Sequence, residues 1–138
     1  MSKVNHTMRD EILELSRANN FYVDMMNELL MNDDSLKKYM LVYVRSNQNN
    51  KLLAFGLYTY YPQALLLCFL LVDKNFRSKG YASGIIIFIC HESEKIFGRN
   101  NVLVEVDDNL ALKYFIKHDF KFVFKSDCKK YLVLHKTN

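Results

Sequence analysis

A chain of 138 residues, half of them hydrophobic and a quarter charged, has the size of one compact domain around one core, and one domain over 1–138 is expected. The formal charge of +4 is mild and, apart from the pairs Lys37–Lys38 and Lys129–Lys130, the lysines are scattered, so the charge carries no nucleic-acid footprint and suits anionic small molecules equally well. The longest apolar run, Ala64 to Val72, falls far short of the roughly twenty residues of a spanning helix, and the N-terminal "MSKVNHTMRDEILELSR" lacks an apolar signal core; a soluble protein with no membrane partner is predicted.

From Arg9 to Met31 apolar residues recur at helical spacing: Ile12 and Leu15, then Phe21, Met25, Met26 and Leu29. The intervening "ANN" suits a helix end and restart, which predicts two short helices. Next come "YMLVYVRS", the turn signal "NQNN" and "KLLAFGLYTYY", a hairpin from Tyr39 to Tyr61 that Pro62 ends. "ALLLCFLLV" does not alternate, so it predicts a central strand covered on both faces. "YASGIIIFICHESEKIFG" could be strand or helix. Its length and polar "HESEK" predict a helix ending near Gly98, with Tyr81, Ile85, Phe88, Ile89 and Ile96 on one face broken only by Glu92, and with His91 and Glu92 at the surface. "NVLVEV" reads as a strand. "DDNLALKYFIKH" reads as a helix behind an Asp/Asn cap, with Ala111, Tyr114, Phe115 and His118 on one face. "FKFVF" and "KKYLVLH" close the chain as a hairpin. The order α-α-β-β-β-α-β-α-β-β predicts an α+β, mixed-sheet domain and not a doubly wound repeat.

Three cysteines, Cys68, Cys90 and Cys128, show no CxxC spacing, and the first two sit in apolar runs as small buried hydrophobes. That predicts a reducing, cytoplasmic setting and no covalent cysteine nucleophile. No residue spacing suits a metal.

"FRSKGYASG", Phe76 to Gly84, joins the buried strand to the apolar helix and holds two of the four glycines. A strand feeding directly into a helix leaves the helix's first N–H groups unpaired at the positive end of its dipole, which makes an anion site. Gly80 frees the backbone, Ala82 keeps the next turn open, and Arg77 and Lys79 add positive charge. Neither the GxxxxGK[ST] nor the GxGxxG phosphate pattern is present. A plain tight turn with solvated basic residues is the other reading of the same stretch.

The segment "VDKNFRSKGYAS" resembles motif A of the GNAT acyltransferase superfamily: Arg or Gln, two residues, Gly, one residue, Gly or Ala, behind a strand ending in Val. Here those positions are Arg77, Gly80 and Ala82 behind Val72. "VLVEV" and "DNLALKYFIKHDF" resemble the family's next block, Asn-x-x-Ala-x-x-Leu-Tyr-x-x-x-Gly-Phe, so the resemblance covers roughly residues 52 to 124. It implies a mixed, mostly antiparallel central sheet of six to seven strands flanked by about four helices. It also implies an N-acetyltransferase that takes acetyl-CoA as cosubstrate, needs no metal, and acetylates a primary amine by direct attack on the thioester. A small-molecule amine is preferred as acceptor, with a peptide N-terminus or lysine as the alternative.

The same resemblance puts the CoA pyrophosphate on the backbone of Arg77, Ser78, Lys79, Gly80, Tyr81 and Ala82, with Ser83 in the first turn. Leu70, Leu71 and Val72 would pair with the pantetheine arm and aim an N–H at the thioester carbonyl, and Asn109 or Asp108 would lie beside the pantetheine. Phe115, against the cofactor, takes the place of the family's proton-donating Tyr, and Asp119 that of its Gly. Tyr114, turned away by about 100°, is the substitute acid or a core or groove aromatic. Glu105 is the candidate general base or a solvated strand-end carboxylate. Asp73 is expected to cap the turn, and His118 to meet the C-terminal helix dipole. Phe21, Tyr22, Tyr58, Tyr60 and Tyr131 would stand around the acceptor groove, a set as compatible with core packing as with an amine pocket. Pairing of two copies through the sheet or the C-terminal strands is common in the family. The Phe at 115 also suits a silent acyl-CoA-binding module without turnover.

Overall fold

The structure is a computed structural model that describes residues 2–106, 109–125 and 131–137. The elements run β1 (Ser2–Lys3), α1 (His6–Ala18), α2 (Val23–Leu30), α3 (Asp33–Leu36), β2 (Met40–Arg45), β3 (Leu52–Tyr61), β4 (Ala64–Val72), a 3-10 turn (Lys74–Phe76), α4 (Tyr81–Phe97), β5 (Asn100–Val106), α5 (Asn109–Lys117), β6 (Phe120–Lys125) and β7 (Tyr131–Thr137). Hydrogen bonding orders the strands β1-β2-β3-β4-β5-β7-β6. The sheet is mixed: β4 and β5 pair in parallel, while β1–β2, β2–β3, β5–β7 and β6–β7 are antiparallel. Among the described residues five α-helices stand where about four were expected, and β1 precedes them. Both additions are too short to show periodicity. The turn of α3 forms because Asn32 accepts the Asp34 and Ser35 N–H groups at 2.9 and 3.2 Å.

The described contacts group into two compact units. The first takes in the chain to Tyr58 and returns for Phe69–Ile86; the second comprises Thr59–Cys68 and the chain from Ile87 on. In the first, Asn5 starts α1 by accepting the Met8 N–H at 2.8 Å. Met8, Ile12 and Leu15 then line one face and bury against Met26, Leu30, Leu41, Phe55, Leu57 and Leu71. Side chains such as Ile12, Met26, Leu30 and Phe55, all fully buried, stabilise the unit by about 1.5–3 kcal/mol each. The Arg45 guanidinium grips Glu11 of α1 with two bonds of 3.0 and 2.6 Å and fixes the β2–β3 hairpin to the helix.

The second unit is built on the short parallel register of Leu65 to Leu67 with Val102 to Val104, with β7 on the far side of β5. Phe115 of α5 meets Phe120 edge to face at 5.1 Å, closing the base of the helix on β6. Ser93 is fully buried in α4 and satisfied: its Oγ accepts the Asn101 N–H at 2.7 Å and lies 3.0 Å from the Arg99 carbonyl. Glu92 is not the surface residue expected. It is 7% exposed, beside buried Ile89 and Ser93, and sits 3.7 Å from Lys95. Ile96 leaves the expected buried face for a similar reason of position: Glu94, Lys95 and Ile96 are all exposed, so burial ends at Ser93 and the helix's last turn meets solvent. Among the described residues, no helix is long and apolar enough to cross a membrane.

Candidate functional site

The hinge and the end of β4 that feeds it, from Phe69 on, lie within the first unit. β4 delivers Leu71 into the core, 4% exposed, while Leu70 and Val72 are half-buried on its other face. Asp73 follows, its N–H bonded to the Leu53 carbonyl at 2.8 Å and its carbonyl to the Phe76 N–H at 2.9 Å. These bonds hold the 3-10 turn down, and Asn19 at the end of α1 pins it from the side by accepting the Lys74 N–H at 2.8 Å. Asp73 was expected to cap this turn, yet its side chain makes no cap bond; backbone bonds do that work and leave its carboxylate turned elsewhere.

From that fixed point the backbone alternates. Arg77 is extended, Ser78 is left-handed at φ 65°, and Gly80 is left-handed at φ 85° before α4 begins. An added Cβ at Gly80 would meet nothing within 4 Å, so its glycine answers a conformational demand and not crowding by the chain. The first helical bond here joins the Gly84 N–H to the Gly80 carbonyl at 3.0 Å. The N–H groups of Tyr81, Ala82 and Ser83 come before it, at the positive end of a 17-residue helix. Left-handed residues interspersed through a turn make successive N–H groups converge into an anion-binding nest. Arg77 stands over this end of β4, its Nε donating to the Val72 carbonyl at 3.2 Å, and residues 77 to 80 are all exposed. The expected pyrophosphate residues are thus together in one exposed, cationic turn.

Other expected site residues lie in the second unit. The parallel register pairs Leu67 with Val104, which puts Cys68 and Glu105 on neighbouring strands one step further on. Burial first, and then the Glu105 charge, push the Cys68 thiol up to about 12. Such a thiol holds its proton and is no nucleophile. Burial likewise raises the Cys90 thiol, opposed by a hydrogen bond from Asn100. Glu105 itself is exposed. Asn109 opens α5, and its side chain lies outside the described residues, as does the Asp/Asn cap with Asp108. Phe115 is 6% exposed, while Tyr114 is half-buried with its ring 4.5 Å from His118. The helix therefore turns the hydroxyl-bearing ring toward its more open side and the plain ring into the core.

The aromatic groove set divides. Phe21, Tyr22 and Phe69 meet edge to face at 4.9 to 6.4 Å, with Tyr22 40% exposed and left-handed at φ 43°. Tyr58, in contrast, is fully buried in β3 and cannot line a groove; the run from Leu52 to Tyr58 is covered on both faces, which overrides strand alternation there. Tyr60 is 47% exposed, and the side chain of Tyr131 lies outside the described residues. Among the described residues, no group of three or more His, Cys, Asp or Glu could hold a metal ion. The left-handed Ser78 had no signal in the sequence, since Ser carries no preference for that conformation; the "NDDS" cap of α3 was legible and went unread.

No protein-family model matches the chain, and no curated protein matches it in sequence. Solved structures match it in shape. A candidate acetyltransferase of the GNAT family from Desulfovibrio desulfuricans aligns over 100% of this chain and 96% of its own, with a TM-score of 0.80 at 13% identity. The PaiA N-acetyltransferase of Thermoplasma acidophilum, solved with coenzyme A, aligns over 98% and 96%, with a TM-score of 0.76 at 12% identity. A ribosomal-protein-alanine N-acetyltransferase from Escherichia coli aligns over 98% and 91%, with a TM-score of 0.68 at 12% identity. Mixed sheet, strand-to-hinge-to-helix turn and these alignments agree: the chain has the fold of the GNAT acetyltransferases.

Proposed function

We propose that the protein is an acetyl-CoA-dependent N-acetyltransferase that acetylates a primary amine of a small molecule. The observation that carries this reading is the hinge, an exposed cationic turn with two left-handed residues at the start of a long helix, reached from β4 through a 3-10 turn. A turn of that form is suited to a pyrophosphate, the largest anionic group of CoA. Backbone N–H groups of Arg77 to Ala82, with Ser83, would hold it, and Leu70 to Val72 would offer strand-edge groups to the pantetheine arm. A backbone N–H there would also stabilise the oxyanion as the amine attacks the thioester. Glu105 would take the proton that the ammonium must lose, and Tyr114 would return one to the sulfur as the C–S bond breaks and the C–N bond forms. Asn109 and Phe115 would border the cosubstrate. No metal is needed for this chemistry. A reducing cytoplasm suits Cys68 and Cys90, both free thiols.

Titration with acetyl-CoA tests the reading, because a ligand bound only by the folded state adds about 2.7 kcal/mol of stability at a hundredfold excess over its Kd. A raised melting temperature is expected, and none at millimolar acetyl-CoA overturns the assignment. A second reading, a silent acyl-CoA-binding module, is favoured by the burial of Phe115 at the family's Tyr position. Release of CoA thiol in the presence of small amines, or of peptides, separates turnover from silent binding and one acceptor class from the other.

A further inference from the structure

We propose that the first unit holds a second ligand site, a pocket for a small primary alkylammonium ion, with the Asp73 carboxylate as its counter-charge. The pocket has a volume of about 260 Å³, between the second half of α1, the start of β3 and the 3-10 turn after β4. No residue from Arg77 to Ser83 lines it, so it is separate from the hinge.

Asp73 decides the sign of the guest. It is 7% exposed, it borders the pocket, and among the described residues no hydrogen bond or ion pair reaches its carboxylate. A carboxylate largely withdrawn from water keeps only part of its hydration, and an ammonium ion bound beside it supplies the missing counter-charge. The backbone bonds from Asp73 to Leu53 and from Phe76 to Asp73, with the Asn19 bond to the Lys74 N–H, hold the segment in place. Two other acids border the pocket. Glu11 is already neutralised by the two Arg45 bonds, and Glu14, exposed on the next turn of α1, adds an acceptor at the wall. Lys51 and Lys74 also border it, but both are exposed, where water hydrates and salt screens their charge. The buried charge is therefore the negative one. Leu15 and Leu52, both buried, supply apolar surface for a short alkyl tail.

The test is an NMR titration of the isotope-labelled full chain with n-butylammonium chloride, with sodium butyrate at matched ionic strength as the control. Saturable shifts are expected at the amides of Leu52, Asp73 and Lys74 with the cation and not with butyrate. Asp73→Asn, nearly isosteric, should weaken binding roughly tenfold or more, the size of losing one charged hydrogen bond. Ala18→Leu, on the exposed end of α1, should weaken it by bulk alone and keeps the test sound if Asp73→Asn folds poorly. Absence of saturable shifts, equal shifts with butyrate, or undiminished binding in Asp73→Asn overturns the site. None of these outcomes bears on acetyl-CoA binding, which is read separately from its own thermal shift.

Discussion

The hinge at residues 77–83 and helix α5 both resemble patterns of one family in sequence, but the chemistry proposed for them rests on different parts of the chain. At the hinge the proposed work would fall to backbone N–H groups, in a turn where Ser78 and Gly80 are left-handed. In α5 it would fall to one side chain, and there Phe115 stands where the resemblance expects a Tyr and packs on Phe120. A backbone device tolerates many side chains provided φ and ψ hold, whereas a proton donor is lost with one hydroxyl. Binding chemistry and proton chemistry in the same protein can therefore diverge in sequence at different rates.

The comparison breaks most sharply at the hinge, where the largest effect is expected. Gly80→Val forces a β-branched residue to φ 85°, and Arg77→Glu reverses the nearest charge. The double variant should lose the acetyl-CoA-induced rise in melting temperature entirely while still unfolding cooperatively. A full rise in that variant would put the cosubstrate elsewhere. At α5 a smaller, purely kinetic effect is expected. Tyr114→Phe should lower kcat by about 10²-fold, the low end for general acid–base groups, with the acetyl-CoA thermal shift unchanged. An unchanged kcat would mean that Tyr114 only packs against His118 and that water protonates the thiolate.

Much of the fold was legible because its signals are strong and local. The unbroken apolar run of β4 predicted a covered strand, which holds from Ala64 to Leu67 while all but Leu71 of the rest is half-buried, and the length and polar end of α4 outweighed its Ile-rich start. The site was legible only where a pattern dictates backbone geometry. Arg77, Gly80 and Ala82 marked the hinge, yet Asp73 was misread as a cap, because a sequence shows that an Asp is available to cap a turn and not that backbone bonds already do so. The burial of Glu92 is likewise not written in its residue type, and for Tyr58 the sequence left groove and core open until burial decided for the core.

A third expectation sharpens the account of the second unit. With the Cys68 thiol pushed up to about 12, the reactive thiolate is scarce at pH 8, so peptide-resolved alkylation of Cys68 should be far slower than that of an unfolded thiol. Burial is the larger cause and the Glu105 charge the smaller. Glu105→Gln removes the charge that disfavours the thiolate, so the thiol's pKa should fall and alkylation at pH 9 should speed up by a few-fold while remaining slow. An unchanged rate would mean that the carboxylate lies too far from Cys68 to be felt, and would weaken its assignment to the end of the pairing with β4.

The smallest effect is the most direct test of a site made from backbone. Ser78 holds φ 65°, a conformation that costs a residue with a Cβ about 1 kcal/mol. Ser78→Gly removes that cost but loosens the unfolded chain, so stability should change by less than about 1 kcal/mol. Because the N–H directions are preserved, the acetyl-CoA-induced rise in melting temperature should equal that of the parent protein. Ser78→Val should destabilise by more than about 1 kcal/mol and lose much of the rise, since a β-branched residue resists the left-handed region. If Ser78→Gly folds normally and still loses the ligand response, the anion is read by the Ser78 hydroxyl, and the hinge depends on side-chain identity as much as α5 does.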